Sequence, residues 1–344
     1  MTVPVINRYE SGYGNHQEVS WCFHHHLQYV RSGHDSPPIR EHVLNPPVNR
    51  KPMSDLLEIK ARLVLGGDVS IPEGFSHPHI DMRDGEPHSM VLGFQGIMVR
   101  KKVSRDGQFA LCDDGGVLSL REGDELLSDH VSIVPMFGHS PETVTVTISK
   151  GGKEMSVEEA LAIMDSYSGM EVIRGVTING NRADPRHYAD VVSAYSSRYD
   201  YPIGVGSNDM DPQVVRMLRE AGAVNMKVGI TDVHDVDEGF WLRLSDTVGV
   251  FGKGMVTCSL FVADDVSDDE LLDVIDRMCS IGAMPDVKVR RSEETGLKEA
   301  TPERYCHIQR SMKSIMERYG LDGSGFDTMC YGCRLCMIVP FKDF

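Results

Sequence analysis

Residues 171–230 read EVIRGVTINGNRADPRHYADVVSAYSSRYDYPIGVGSNDMDPQVVRMLREAGAVNMKVGI. EVIRGVTING is a β-like run, and DPRHYADVVSAYSSRY is a helix with Pro185 in its first turn, where a missing N–H costs nothing. YPIGVGS is a second strand. DPQVVRMLREAG is a second helix that stops on Gly222, and AVNMKVGI is a third strand. The pattern extends both ways. Upstream lie the strand TVTVTIS and the helix SVEEALAIMDSY, with Ser156 as cap and Glu159 at the capping-box position. Downstream come a helix around DEGFWLRLSD, the strand MVTCSLFV, the helix SDDELLDVIDRMCSIG, the strand MPDVKVR and the helix TPERYCHIQRSMKSIMERYG. Right-handed crossovers make the sheet parallel. The reading is an α/β protein with a partial (βα)6 TIM-like barrel.

In such a fold the site lies at the C-terminal strand ends. Those ends carry Asn179-Gly180-Asn181, Ser207-Asn208-Asp209, Thr231-Asp232, Ala263-Asp264-Asp265 and Arg290-Arg291. Asn179, Gly180, Asn208 and Asp209 are the candidates for cofactor binding. Asp209 also fits a plain lead into the helix at Asp211. Asp264, Asp265, Asp268 and Asp269 read as an acidic helix start.

Four segments follow. Residues 1–53 are a Pro- and His-rich arm with CFHHH at Cys22 to His26. Residues 54–140 hold a helix from Ser54 to Leu65, with Ser54 as its cap, and a small β-rich segment. Arg100, Lys101, Lys102 and Arg105 read there as a solvated strand edge. His77, His79, Asp81 and His88 read as a polar loop, with metal binding as the sharper alternative. Residues 141–322 are the barrel, and 323–344 a Cys-rich tail.

The chain has 344 residues and a formal net charge of −16. That charge argues against nucleic acid and anionic membrane surfaces as partners. No apolar run is long enough to span a bilayer, and no leader pattern opens the chain, so a cytoplasmic location is expected. Neither a phosphate loop nor a G-x-S-x-G elbow is present.

The tail reads TMCYGCRLCMIVPFKDF. Cys330, Cys333 and Cys336 match the first three positions of a ferredoxin-type run, and Pro340 stands where a fourth Cys would be. A [4Fe-4S] cluster with one open iron is the expectation. Zinc completed by Cys306 or His307, or three idle thiols, are the alternatives.

The order of parts resembles the radical S-adenosylmethionine superfamily, and within it the biotin-synthase-related group that includes archaeal lipoyl synthase subunits. DLLEIKARLVLGG is similar to that group's leading helix, VRKKVSRDGQFALCDDGGVLSL to the strands before its barrel, and the Cys330 to Cys336 run to its accessory-cluster tail. The cysteine loop after the first barrel strand is missing, since residues 144–157 hold no Cys. The resemblance implies an iron–sulfur protein of cofactor biosynthesis. It would work with a radical-enzyme partner subunit or electron donor, or alone on a small-molecule substrate, with S-adenosylmethionine as a ligand of the open iron. A barrel enzyme with a structural zinc is the alternative.

Overall fold

The computed structural model describes residues 53–344 except 138, 151, 168, 182 and 230–232. The run Cys22 to His26 and the pair Thr231-Asp232 lie outside the described residues. Helix α1 (Met53–Leu65) starts one residue ahead of the expected cap. Strands β1 (Val69–Ser70), β2 (Asp81–Arg83), β3 (Glu86–Phe94), β4 (Ile97–Lys102), β5 (Phe109–Asp114), β6 (Val117–Glu122) and β7 (Glu125–Val134) follow. They form one sheet in the order β1-β5-β6-β7-β3-β2, with β4 on β3. Its hairpins have local causes. Gln95 and Gly96, between β3 and β4, take φ of 46° and 86°, the left-handed pair that a two-residue hairpin turn needs.

α1 is shared by two cores. Leu56, Ile59 and Leu63 pack on the antiparallel sheet with Met90, Phe94 and Phe109. Leu57 and Ala61 join the barrel core. Lys101 is not on a solvated edge, as its sequence neighbours suggested. It is 5% exposed, and its Nζ donates to Leu63 O at 2.7 Å and Gly66 O at 3.2 Å. It closes the C-terminus of α1, where the last carbonyls lack partners. Burial pushes its ammonium down to about 8.

The barrel begins at β8 (Thr143–Thr147). After the short hairpin of β9 (Ser149–Lys150) and β10 (Lys153–Glu154) come α2 (Val157–Asp165), β11 (Gly175–Asn179), α3 (Pro185–Arg198), β12 (Ile203–Gly206) and α4 (Pro212–Glu220). Then follow β13 (Asn225–Gly229), α5 (Glu238–Phe251), β14 (Val256–Val262), α6 (Asp268–Ile281), β15 (Met284–Val289) and α7 (Pro302–Arg318). The six main strands pair in chain order, every pair parallel. The partial (βα)6 barrel expected from the alternation is the fold. Its helices start on side-chain caps. Ser156 and Ser267 form capping boxes with Glu159 and Glu270, and Asp184, Asp211 and Thr301 each cap a helix that has Pro next.

The barrel strands do not read as continuous apolar runs, although both faces of a parallel sheet are normally covered. Val144, Val146, Val176, Ile178, Val205, Met226, Val228, Leu260 and Val287 form the helix-facing core. The alternate positions hold Thr143, Thr177, Gly204, Asn225, Lys227, Ser259 and Asp286, and they face a polar lumen.

The C-terminal chain fills the lower part of that lumen, leading into the short turn α8 (Met329–Cys333). Thr143 Oγ1 donates to Asp327 O at 3.1 Å, Thr328 Oγ1 to Asn225 Oδ1 at 2.7 Å, and the Met329 N–H to Thr177 Oγ1 at 2.8 Å. Gly204 lets the chain in, since a Cβ there would sit 2.4 Å from Asn225 Oδ1 and 2.6 Å from Thr328 Oγ1. At the free edge of β15, the Tyr305 hydroxyl and Gln309 Nε2 donate to Val287 O. The Tyr331 hydroxyl donates to Pro285 O. Side chains thus do the work of a seventh strand. The chain end is tied back to α1, where Lys60 Nζ donates to Asp343 at 2.5 Å and to Arg334 O at 2.9 Å.

Two outcomes follow. Gly204→Val should cost about 1–3 kcal/mol in urea unfolding, through overpacking against the tail. Gly249→Ala, in a helix with open space around it, should be neutral or stabilising by up to about 1 kcal/mol. Lys101 carries the second. Its folded value lies below the unfolded one, so the unfolded chain holds more protons between about pH 8 and 10.5, and stability rises there. The stability difference between wild type and Lys101→Met should therefore shift toward wild type across that window. A flat difference contradicts the assignment.

Candidate functional site in the barrel lumen

Lys227 stands at the middle of β13 and points into the lumen. Its Nζ donates to Asp286 Oδ2 at 2.6 Å and to Cys330 Sγ at 2.7 Å. Asp286, on β15, is fully buried and also accepts from Ser259 Oγ at 3.2 Å. Lys288 is next on the same face, 3.9 Å from the same carboxylate oxygen. Three strands and the tail therefore meet at one ammonium–carboxylate–sulfur contact.

The electrostatics follow from this geometry. Burial alone would lower the Lys227 ammonium, but the charges of Asp286 and Cys330 reverse that and leave it above its ordinary value. Burial would raise Asp286, yet Lys227 and Lys288 hold it well below the usual carboxylate range. Asp286 Oδ1 and Thr257 Oγ1 are buried without a hydrogen-bond partner, which is unusual for groups so costly to desolvate.

The lumen is closed below and open above. Along β8 the inward side chains go from buried Thr143 through half-buried Thr145 to exposed Thr147. Asn225 is buried and Lys227 half-buried, and Asp286 is buried and Lys288 half-buried. Two further residues lie within electrostatic reach of these lysines. Cys336 and His139 are both exposed, yet the protein around them shifts them strongly. The Cys336 thiol is pushed up to about 11, by burial first. The His139 imidazole is pushed down to about 4, by burial first and then by Arg100, Lys288 and Lys227. Lys298, whose ammonium burial lowers with help from Arg291 and Lys288, adds to the positive charge. In a chain of net charge −16, this is a local reversal of sign.

The strand-end candidates sit above this lumen and are engaged in shaping loops. The Asn208 side chain accepts from the Gly229 N–H at 2.9 Å, tying the ends of β12 and β13. Asp209 Oδ1 accepts from the Asp211 N–H at 2.9 Å and so leads into α4. Asn179 Oδ1 lies 2.5 Å from where a Cβ on Gly206 would be, and a Cβ on Gly180 would strike the Tyr188 ring at 2.6 Å. Tyr188 in turn donates to Ile178 O at 2.5 Å. His77 and His79 stack edge to face, 5.1 Å apart. Lys227, Asp286 and Lys288 were absent from the sequence candidates. Their signal was the polar residue at every second strand position.

The three tail cysteines do not fit the cluster expected of them. Cys330 is engaged by Lys227. Cys333 is packed with Val91 and Leu335 in a small apolar cluster, and burial raises its thiol. Among the described residues, no group of three or more His, Cys, Asp or Glu is placed to hold a metal ion. The expectations of a [4Fe-4S] cluster, of bound S-adenosylmethionine and of a structural zinc are corrected accordingly.

No family model matches the chain, and no curated protein does. Among solved structures it is similar to dihydropteroate synthases. One from Xanthomonas albilineans, with 4-aminobenzoic acid, is 16% identical over 55% of this chain and 87% of its own, with a TM-score of 0.29. One from Yersinia pestis, with a pterine-sulfa conjugate, is 12% identical over 61% and 89%, with a TM-score of 0.28. One from Coxiella burnetii, with pteroic acid, is 12% identical over 56% and 88%, with a TM-score of 0.29. With no metal-holding group among the described residues and no family model matching, the assignment to the radical S-adenosylmethionine superfamily is withdrawn. The iron–sulfur role in cofactor biosynthesis and the radical-enzyme reading go with it.

Removing one member of the Lys227–Asp286 pair should be worse than removing both. Lys227→Met leaves a buried carboxylate without its nearest cation and should cost about 3–5 kcal/mol near neutral pH. Lys227→Met combined with Asp286→Leu should recover part of that loss in chemical denaturation. Because Asp286 is depressed in the folded state, its contribution is present above about pH 4 and fades as pH falls below that. The single-variant penalty should shrink in the same window.

Proposed function

We propose that this chain is a βα-barrel enzyme that binds a small anionic molecule in its lumen and transforms it over Lys227. One observation carries the reading. Lys227 is held charged at the centre of a polar, upward-open lumen, with Lys288 beside it. Desolvated cations facing a concavity attract and orient anions far better than cations in water do. A carboxylate or phosphate group entering from the strand ends meets Lys288 first and Lys227 below it. His139, neutral at physiological pH and within electrostatic reach of Lys288 and Lys227, is a further hydrogen-bonding group. The strand-end residues Asn179, Gly180, Asn208 and Asp209 form the rim past which the ligand enters. Nucleic acid remains a poor partner for so acidic a chain.

Among the described residues no helix is long and apolar enough to cross a membrane. The thiols Cys112, Cys258, Cys279 and Cys306 are free, which supports a reducing compartment, and we assign the cytoplasm.

Titration calorimetry at low salt tests the proposal. Phosphate, oxalate and glyoxylate should bind with millimolar or better affinity, and uncharged glycerol should not. Lys288→Met should weaken binding at least tenfold, and raised ionic strength should weaken it further. Anion binding that Lys288→Met leaves unchanged, or no anion binding at all, overturns the reading.

A further inference from the structure

We propose that Cys330 is a covalent nucleophile of this lumen, and that its target is a carbonyl carbon on a small anion. The inference rests on the anion-binding reading above and adds the reacting atom.

Three thiols lie near the lumen, and the surroundings separate them. Cys333 is closed in by Val91 and Leu335. Cys336 has its thiol raised to about 11, so it stays protonated at neutral pH and reacts slowly. Cys330 alone has its sulfur against an ammonium, 2.7 Å from Lys227 Nζ. It is half-buried at the level where the inward side chains pass from buried to open. A second observation concerns the carboxylate beside the thiol. The fully buried Asp286 keeps its Oδ1 without a hydrogen-bond partner, beside Cys330. Such an oxygen is an unfilled hydrogen-bond acceptor, able to orient a thiol or a bound hydroxyl. Folding alone does not explain it, because an apolar pair would fill the space without the desolvation cost.

Together the groups complete an addition without any further reagent. The Cys330 sulfur attacks the carbonyl carbon, and a C–S bond forms. The π pair of the C=O bond moves to oxygen, which takes a proton from the Lys227 ammonium. The thiol proton passes to the Lys227 amine so formed, which regains its charge. The product is a thiohemiacetal, with every atom of thiol and carbonyl compound retained. Lys288 and Lys298 hold the anionic group, so the carbonyl end faces down toward the sulfur.

Alkylation of the intact protein, followed by peptide mass spectrometry, tests this at pH 7.5. Iodoacetamide should label Cys330 at least tenfold faster than Cys112, the half-buried thiol on the antiparallel sheet. Lys227→Met should slow Cys330 labelling at least tenfold, and Lys227→Arg should restore part of it. The Arg variant keeps the test decisive if the Met variant folds poorly. Glyoxylate, an anion with an aldehyde, should protect Cys330 against iodoacetamide, and the protection should disappear on dialysis. Cys330 labelling no faster than Cys112 overturns the proposal. So does borohydride trapping of glyoxylate on Lys227, since the amine would then be the nucleophile. Fast iodoacetamide labelling with no glyoxylate protection, and no advantage for anionic iodoacetate over the same reagent's rate at Cys112, keeps the nucleophile and removes the anion reading beneath it.

Discussion

One ammonium, Lys227 Nζ, ties the parts of this protein together. It sits between a carboxylate on β15 and a sulfur on the C-terminal tail, at 2.6 and 2.7 Å. A lone charge at that depth would cost several kcal/mol, so each partner is there because the others are. Asp286 neutralises the cation, Ser259 supports Asp286, and the tail brings the sulfur. The barrel interior is polar because of this group, and a polar interior needs a polar filling.

The tail is that filling. Its backbone and the Thr328 hydroxyl meet Thr143, Thr177 and Asn225 in sequence up the lumen. Gly175 and Gly204 leave room for it, as a Cβ at either would lie within 2.6 Å of Asp327 or Thr328 atoms. Above Lys227 the inward side chains pass from half-buried to exposed, so the upper lumen is open toward the strand ends. The helix-facing side chains supply the apolar burial that stabilises the barrel, while the inward face is left for chemistry. Six strands do not close a barrel, and the gap is managed by α7 and the tail, through Tyr305, Gln309 and Tyr331.

The fold was legible where the cause is local. Caps such as Ser156 with Glu159, the Asp-Pro and Thr-Pro helix starts, and the strand–helix alternation are all short-range signals. The site was not legible, because its contacts are long-range. Lys227 and Cys330 are 103 positions apart, and no local pattern joins them. Two signs were present all the same. TVTVT, GVTIN and PDVKV alternate when a doubly covered strand should not, which announces a polar inner face. The cysteine run is followed by Met337, Ile338 and Val339, all fully buried, so the tail was bound for the interior. Two-residue spacing says that thiols can converge; it does not say that they do. Lys101 misled for a related reason. A basic run on a strand edge is usually solvated, but one member here closes the end of α1.

The central claim is that the lumen above Lys227 is an anion site floored by the tail. A crystal structure of the protein with selenate, located by anomalous scattering, tests it most directly. The account predicts a selenate in the lumen within hydrogen-bond reach of Lys227 or Lys288, with the tail seated below it. Selenate absent from the lumen at saturating concentration, or a tail withdrawn from β11 and β13, contradicts it.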